Sequence, residues 1–264
     1  MVGQKKLFEK INNLSLKSLP HSLMLVGEYG CGKHLASDEI SSKLGIPIKD
    51  ISDSLNAETI NNIYDMVTPQ IYTINGDSIT LKEESAILKF IEEPSKNAYI
   101  IIFCENRGRM LNTILNRCII WEFEPYTMDE LLSFAPSAST ELLKVANTPG
   151  KLIEWSPQPI SDIQEVCDNI INRMINANIP NALTLPDKIA WKEEDKNKYN
   201  KNLFLQMLLF TAKEKVIDDK DKIWYNVYVL TNKFLNDSHI PHIDFQKLFE
   251  NYILNLKTLL QQSV

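Results

Sequence analysis

The stretch Gly27-Glu28-Tyr29-Gly30-Cys31-Gly32-Lys33-His34 carries the clearest chemistry in the chain. It fits the spacing G-x-x-x-x-G-K, in which glycines let backbone N–H groups turn toward phosphates. The lysine then neutralises β- and γ-phosphate oxygens at a helix N-terminus. The β-rich apolar run Ser22–Val26 precedes the motif and a helical pattern over about 34–44 follows it, which is the setting a phosphate loop requires. The final position departs from the motif: a Ser or Thr hydroxyl there would bind Mg²⁺, and His34 stands in its place. An imidazole does not substitute for a small oxygen ligand on a hard, octahedral ion, so the residues allow weak or structural ATP or ADP and speak against hydrolysis.

Hydrolysis also needs an acidic pair at the end of a second strand. The candidate strand Gln70–Ile74 leads into Asn75-Gly76-Asp77 without one. Asp77 is then either a turn residue after Gly76 or a displaced metal ligand. No metal site is expected elsewhere. Cys31, Cys104, Cys118 and Cys167 are scattered singly, as in a reduced protein, and Pro241 between His239 and His242 disfavours a shared helical face.

Strands over Ser22–Val26, Gln70–Ile74, Tyr99–Phe103 and Cys118–Phe123 alternate with helices over about 34–44, 56–67 and 80–93, the order of an α/β domain with a parallel sheet. Thr80 with Glu83, and Thr127 with Glu130, have capping-box spacing. After about residue 125 the pattern is helical, with short helices over 127–134, 138–146 and 149–155. A proline-rich connection at Ser156–Ile160 and longer helices follow. The last of these carries Phe245, Leu248, Phe249, Tyr252, Ile253, Leu256, Leu259 and Leu260 on one face. The charged run Lys192–Lys198 reads as a solvated loop or helix start.

With 264 residues the chain has room for two domains and a small third. Its 28 Lys+Arg against 34 Asp+Glu give a net charge of −6, so contact with DNA is expected to be local or shared with partners. Arg107, Arg109 and Arg117 lie in one stretch that could serve DNA, a neighbour's nucleotide or solubility. No apolar run reaches the length of a membrane span, and no secretory leader is evident in the first ten residues. A cytoplasmic protein that makes no membrane contact is expected.

Three stretches add a resemblance that covers roughly residues 4–156. Pro20-His21 stands ahead of the phosphate loop, Ala86-Ile87-Leu88-Lys89-Phe90-Ile91-Glu92-Glu93-Pro94 ends a helix, and Asn112-Thr113-Ile114-Leu115-Asn116-Arg117-Cys118 precedes a strand. In these the chain resembles the AAA+ subunits of DNA polymerase clamp loaders, most nearly their bacterial delta-prime branch. Asn116 replaces that family's serine, and the four-cysteine zinc module usual after the phosphate-loop helix is missing, as in a phage or otherwise divergent version.

The resemblance implies a RecA-like AAA+ core over 1–124, a helical lid over 125–158 and a helical collar over 159–264. It also implies that Arg117 is an arginine finger reaching ATP held by a neighbouring subunit. Gly150, in Asn147-Thr148-Pro149-Gly150, falls where hydrolysing loaders carry a lid arginine. The implied role is a non-catalytic scaffold of a sliding-clamp loader, needing no cofactor of its own. Its implied partners are other loader subunits, the sliding clamp and, through the complex, primer-template DNA. Two alternatives are an ATPase subunit with an atypical phosphate loop, and an AAA+ module of another DNA transaction.

Overall fold

A computed structural model describes residues 3–176, 200–218, 222–238 and 243–261. The His239 and His242 pair and the run 192–198 lie outside these residues. By packing, the chain divides into one unit of residues 1–137 with 147–151 and a second of 138–146 with 152–264.

The first unit is built on five parallel strands: β1 (Ser22–Val26), β2 (Ile48–Asp50), β3 (Gln70–Asn75), β4 (Ala98–Cys104) and β5 (Ile119–Glu122), in the order β2-β3-β4-β1-β5. Every residue of β1 and β4 is buried. That is why both read as unbroken apolar runs, since a parallel strand covered on both faces has no polar side to show. Alternation sends Met24, Ile74, Ile100 and Ile102 to one face, and Leu23, Leu25, Ile71 and Ile101 to the other.

On the first face lie α3 (Ala57–Tyr64), α4 (Leu81–Glu92) and the single turn α5 (Asn112–Leu115), contributing Ile60, Ile63, Ile87, Phe90 and Ile114. On the second lie α1 (Lys5–Asn12) and α2 (Lys33–Leu44), contributing Leu7, Ile11, Ala36 and Ile40. Before α1, the buried Gln4 side chain acts as a short stretch of strand. Its amide donates to the Glu124 carbonyl at 2.8 Å and its oxygen accepts the Glu124 N–H at 3.0 Å.

Both capping boxes form. Glu83 accepts the Thr80 N–H at 2.7 Å, which holds its carboxyl below the usual carboxylate range. At α6 (Met128–Phe134) Glu130 accepts the Thr127 N–H and Thr127 Oγ1 accepts the Glu130 N–H. The strand β2 and the helix α1 are additions to the elements named from sequence. Ile48–Asp50 is three residues long and exposed at its end, too short for a period-two signal.

The second unit is helical: α7 (Thr140–Val145), α9 (Ile160–Asn176), α10 (Lys201–Asp218), α11 (Lys222–Asp237) and α12 (Phe245–Gln261), while α8 (Pro149–Trp155) straddles the division. The apolar stripe on α12 packs within the chain, against α9 and α11. Phe234 stacks on Tyr252 at 4.6 Å and on Phe249 at 5.4 Å, and Phe204 meets Phe249 edge-on at 6.1 Å.

The Tyr252 hydroxyl and Thr231 Oγ1 are 2.9 Å apart in this core, where burial holds the phenol above its ordinary range. Tyr252→Phe is expected to lower unfolding stability by about 1 kcal/mol, read as a shifted urea midpoint. The loss stays small because Thr231 keeps its bond to the Val227 carbonyl.

Candidate functional site

The phosphate loop follows β1 at the carboxyl ends of the parallel strands, the end at which open α/β sheets bind ligands. The Gly27 N–H donates to the Cys104 carbonyl at 3.0 Å, continuing the β1–β4 ladder for one residue before the chain leaves the sheet. Gly32 then takes φ +102° as N-cap of α2, a left-handed conformation that a side chain disfavours. Tyr126 steadies the loop from outside by donating its hydroxyl to the Cys31 carbonyl at 2.8 Å.

Lys33 is buried, and its ammonium donates to the Gly27 carbonyl at 2.5 Å and the Glu28 carbonyl at 3.1 Å. The lysine therefore folds back onto the carbonyls of the loop's opening residues. The loop borders a cleft of about 660 Å³, lined among others by Gly30, Gly32, Lys33, His34, Asp77 and Phe103. Gly27, Gly30 and Gly32 thus lie in the loop, and Lys33 and His34 open the helix α2 at its end.

His34 is exposed, and its ring packs on Phe103 at 4.1 Å, tilted by 54°. Asp77 lies in the turn Gly76–Ser78 beyond β3 and accepts the Glu105 N–H at 2.8 Å. The turn reading of Asp77 describes that geometry, and the carboxylate ties the end of β3 to the end of β4. No group of three or more His, Cys, Asp or Glu among the described residues could hold a metal ion.

Arg117 stands apart from this cleft, beyond the Asn116 C-cap of α5. Its guanidinium forks: Nη1 donates to the Thr113 carbonyl at 3.0 Å, and Nη2 pairs with Glu92 Oε1 at 2.9 Å. The side chain remains 42% exposed, so one edge of a planar, permanently charged donor is fixed while the rest faces solvent. Glu92 is a partner that the sequence alone does not single out. Its signal was present in the Glu92-Glu93-Pro94 helix end, but the partner 25 positions away could not be read without the fold.

The loop also holds Cys31, and all four cysteines are buried and free. Burial pushes Cys31 and Cys104 up to about 11 and Cys118 up to about 12. A thiolate is the reactive form, so the native protein is expected to show no rapid labelling by a disulfide reagent at pH 8 and four reactive thiols after denaturation.

A family model described as "DNA polymerase III, delta subunit" matches residues 42–127. DNA polymerase III subunit delta′ of Bacillus subtilis is 35% identical over 94 residues, 33% of this chain and 29% of that protein. Replication factor C small subunit of Halobacterium salinarum is 25% identical over 195 residues, 67% of this chain and 57% of that protein. The chain therefore matches less than two thirds of the length of either relative.

Among solved structures, a DNA polymerase III gamma subunit-related protein from Thermotoga maritima aligns with TM-score 0.52 at 12% identity, covering 97% of this chain and 99% of its own. RuvB from the same organism aligns with TM-score 0.53 at 16% identity, covering 96% and 88%. The structural matches establish the fold, a phosphate-loop parallel sheet followed by helices, and the sequence matches bear out the resemblance to AAA+ clamp-loader subunits. No helix among the described residues is long and apolar enough to cross a membrane.

Proposed function

We propose that this AAA+ chain, related to clamp-loader subunits, serves DNA replication as a non-hydrolysing scaffold of a sliding-clamp loader. It contributes to the ring and presents Arg117 to ATP held by a neighbouring subunit. The observation that carries this reading is the division of labour between two places. The chain's own cleft keeps Lys33 but has His34 at the Mg²⁺-binding position, with no acidic pair after β3. Arg117, by contrast, is a half-exposed guanidinium with a fixed orientation outside that cleft. A guanidinium stabilises charge on a transferring phosphoryl group from a neighbouring chain without a working site in its own. The partners are other loader subunits, the clamp, and primer-template DNA reached through the assembly. The assembly acts in the cytoplasm, with no membrane contact.

The test is co-expression of the full chain with the ATP-hydrolysing loader subunits and the clamp encoded in the same genome. A stable complex that places the clamp on primed DNA only with ATP supports the proposal, and failure to associate with both removes it.

A second reading is favoured by the motif itself, which keeps its glycines and Lys33 intact. In that case the chain is itself an ATPase, with Asp77 serving the metal. Titration of the purified chain with a fluorescent ATP analogue and Mg²⁺, with phosphate release followed in the same samples, separates the two. Turnover that disappears in Lys33→Ala would favour the ATPase. Absence of turnover favours the scaffold, with any bound nucleotide held as a structural ligand.

A further inference from the structure

The segment Asn147–Lys151 is fastened to the tip of the phosphate loop, in the same packing unit. Three successive loop residues each hold it. Gly150 N–H donates to the Gly30 carbonyl at 2.9 Å, and Thr148 Oγ1 donates to the Tyr29 carbonyl at 2.8 Å. Glu28 Oε2 accepts from Asn147 Nδ2 at 2.5 Å and from Lys151 Nζ at 3.0 Å, and Lys151 Nζ also reaches Asn147 Oδ1 at 2.7 Å. The backbones approach so closely that a Cβ on Gly150 would stand 2.4 Å from Gly30 Cα. At φ +76° Gly30 has a conformation suited to glycine, and a Cβ there would meet Thr148 Oγ1 at 2.8 Å.

We propose that this clasp is a latch that holds the phosphate loop in shape through the chain's own contacts, with Glu28 as its positioning residue. A glycine-rich loop has little intrinsic order, and the groups that fix it must come from a bound anion or from protein. Here Glu28, a residue of the loop, turns a half-exposed carboxylate toward the segment and so supplies the protein contact. Lys151, the residue after Gly150, directs its ammonium onto that carboxylate, and its side chain is 13% exposed. The cation beside the loop tip is thus matched by Glu28, so the docking of residues 147–151 does not depend on reading a γ-phosphate. The inference stands apart from the clamp-loader proposal, because it concerns contacts within one unit of this chain.

Hydrogen exchange followed by mass spectrometry on the full chain tests it, comparing peptides that cover 28–32 and 147–151. Gly150→Ala and Lys151→Met alter only the segment, and Glu28→Gln alters only the loop. A latch couples the two sides. Gly150→Ala should speed exchange of the loop amides by about tenfold, and Lys151→Met by a smaller factor. Glu28→Gln should likewise speed exchange in 147–151, and adding Lys151→Met to it should bring little further change. Lys151→Met covers the case in which Gly150→Ala disturbs folding, which circular dichroism would reveal. Loop exchange unchanged in both segment variants would overturn the latch. So would wild-type protection of 147–151 that arises only when ADP or ATP is added.

Discussion

Replacing Arg117 with alanine is expected to cut ATP turnover at the adjoining site of the assembled complex by about 10³-fold or more, the range in which arginine fingers act. Assembly and fold should be retained. The structural contribution of the side chain is small, because its pair with Glu92 is 42% and 50% exposed and a solvent-screened ion pair of this kind is worth less than about 1 kcal/mol. A large loss of turnover beside a small loss of stability is therefore the signature of a residue that acts on a neighbour's nucleotide. Arg117→Lys should not restore the rate, since a lysine cannot fork between the Thr113 carbonyl, Glu92 and a phosphate. Steady-state ATPase and urea denaturation on the same preparations make the comparison. Wild-type turnover in a saturated Arg117→Ala complex would reduce the residue to a cap on α5.

The second large effect falls on the helical unit. Phe249 is fully buried and lies against Phe204, Phe234, Phe245 and Tyr252. Phe249→Ala is expected to cost about 3–5 kcal/mol, the transfer of the ring plus the cavity it leaves. That is a large fraction of the about 5–15 kcal/mol by which a folded protein is stable. Denaturant unfolding followed by circular dichroism should show the helical unit melting at much lower urea. If the helical unit is the collar that the resemblance implies, the same variant should fail to enter the loader complex even though its phosphate loop and Arg117 are untouched. A midpoint equal to wild type would mean that the aromatic stack is not the core of that unit.

Local physics makes much of the molecule legible in its sequence. The strands β1 and β4 are readable because burial on both faces demands continuous apolar runs, β3 and the partly exposed β5 through their β-branched and aromatic residues, and the capping boxes because their partners are three residues apart. The phosphate loop was readable for the same reason, since its glycines and Lys33 act through adjacent backbone. The face of α12 was visible as a helical stripe, but not what it covers. Only the packed structure turns it inward against α9 and α11. The short strand β2 escaped because pairing with β3 makes it a strand, and its own residues carry no pattern.

The sequence by itself determined the kind of sheet, the loop at its carboxyl end, the departure at His34, and the motifs that mark Arg117. All of these rest on residues that are neighbours along the chain. Tertiary structure decided which distant charges meet. Glu28 finds Lys151 across 123 positions, and Arg117 finds Glu92. Such pairs leave no periodic trace, because a salt bridge needs only that two side chains reach one point in space, and only the packing of loops and helices around the sheet brings them there.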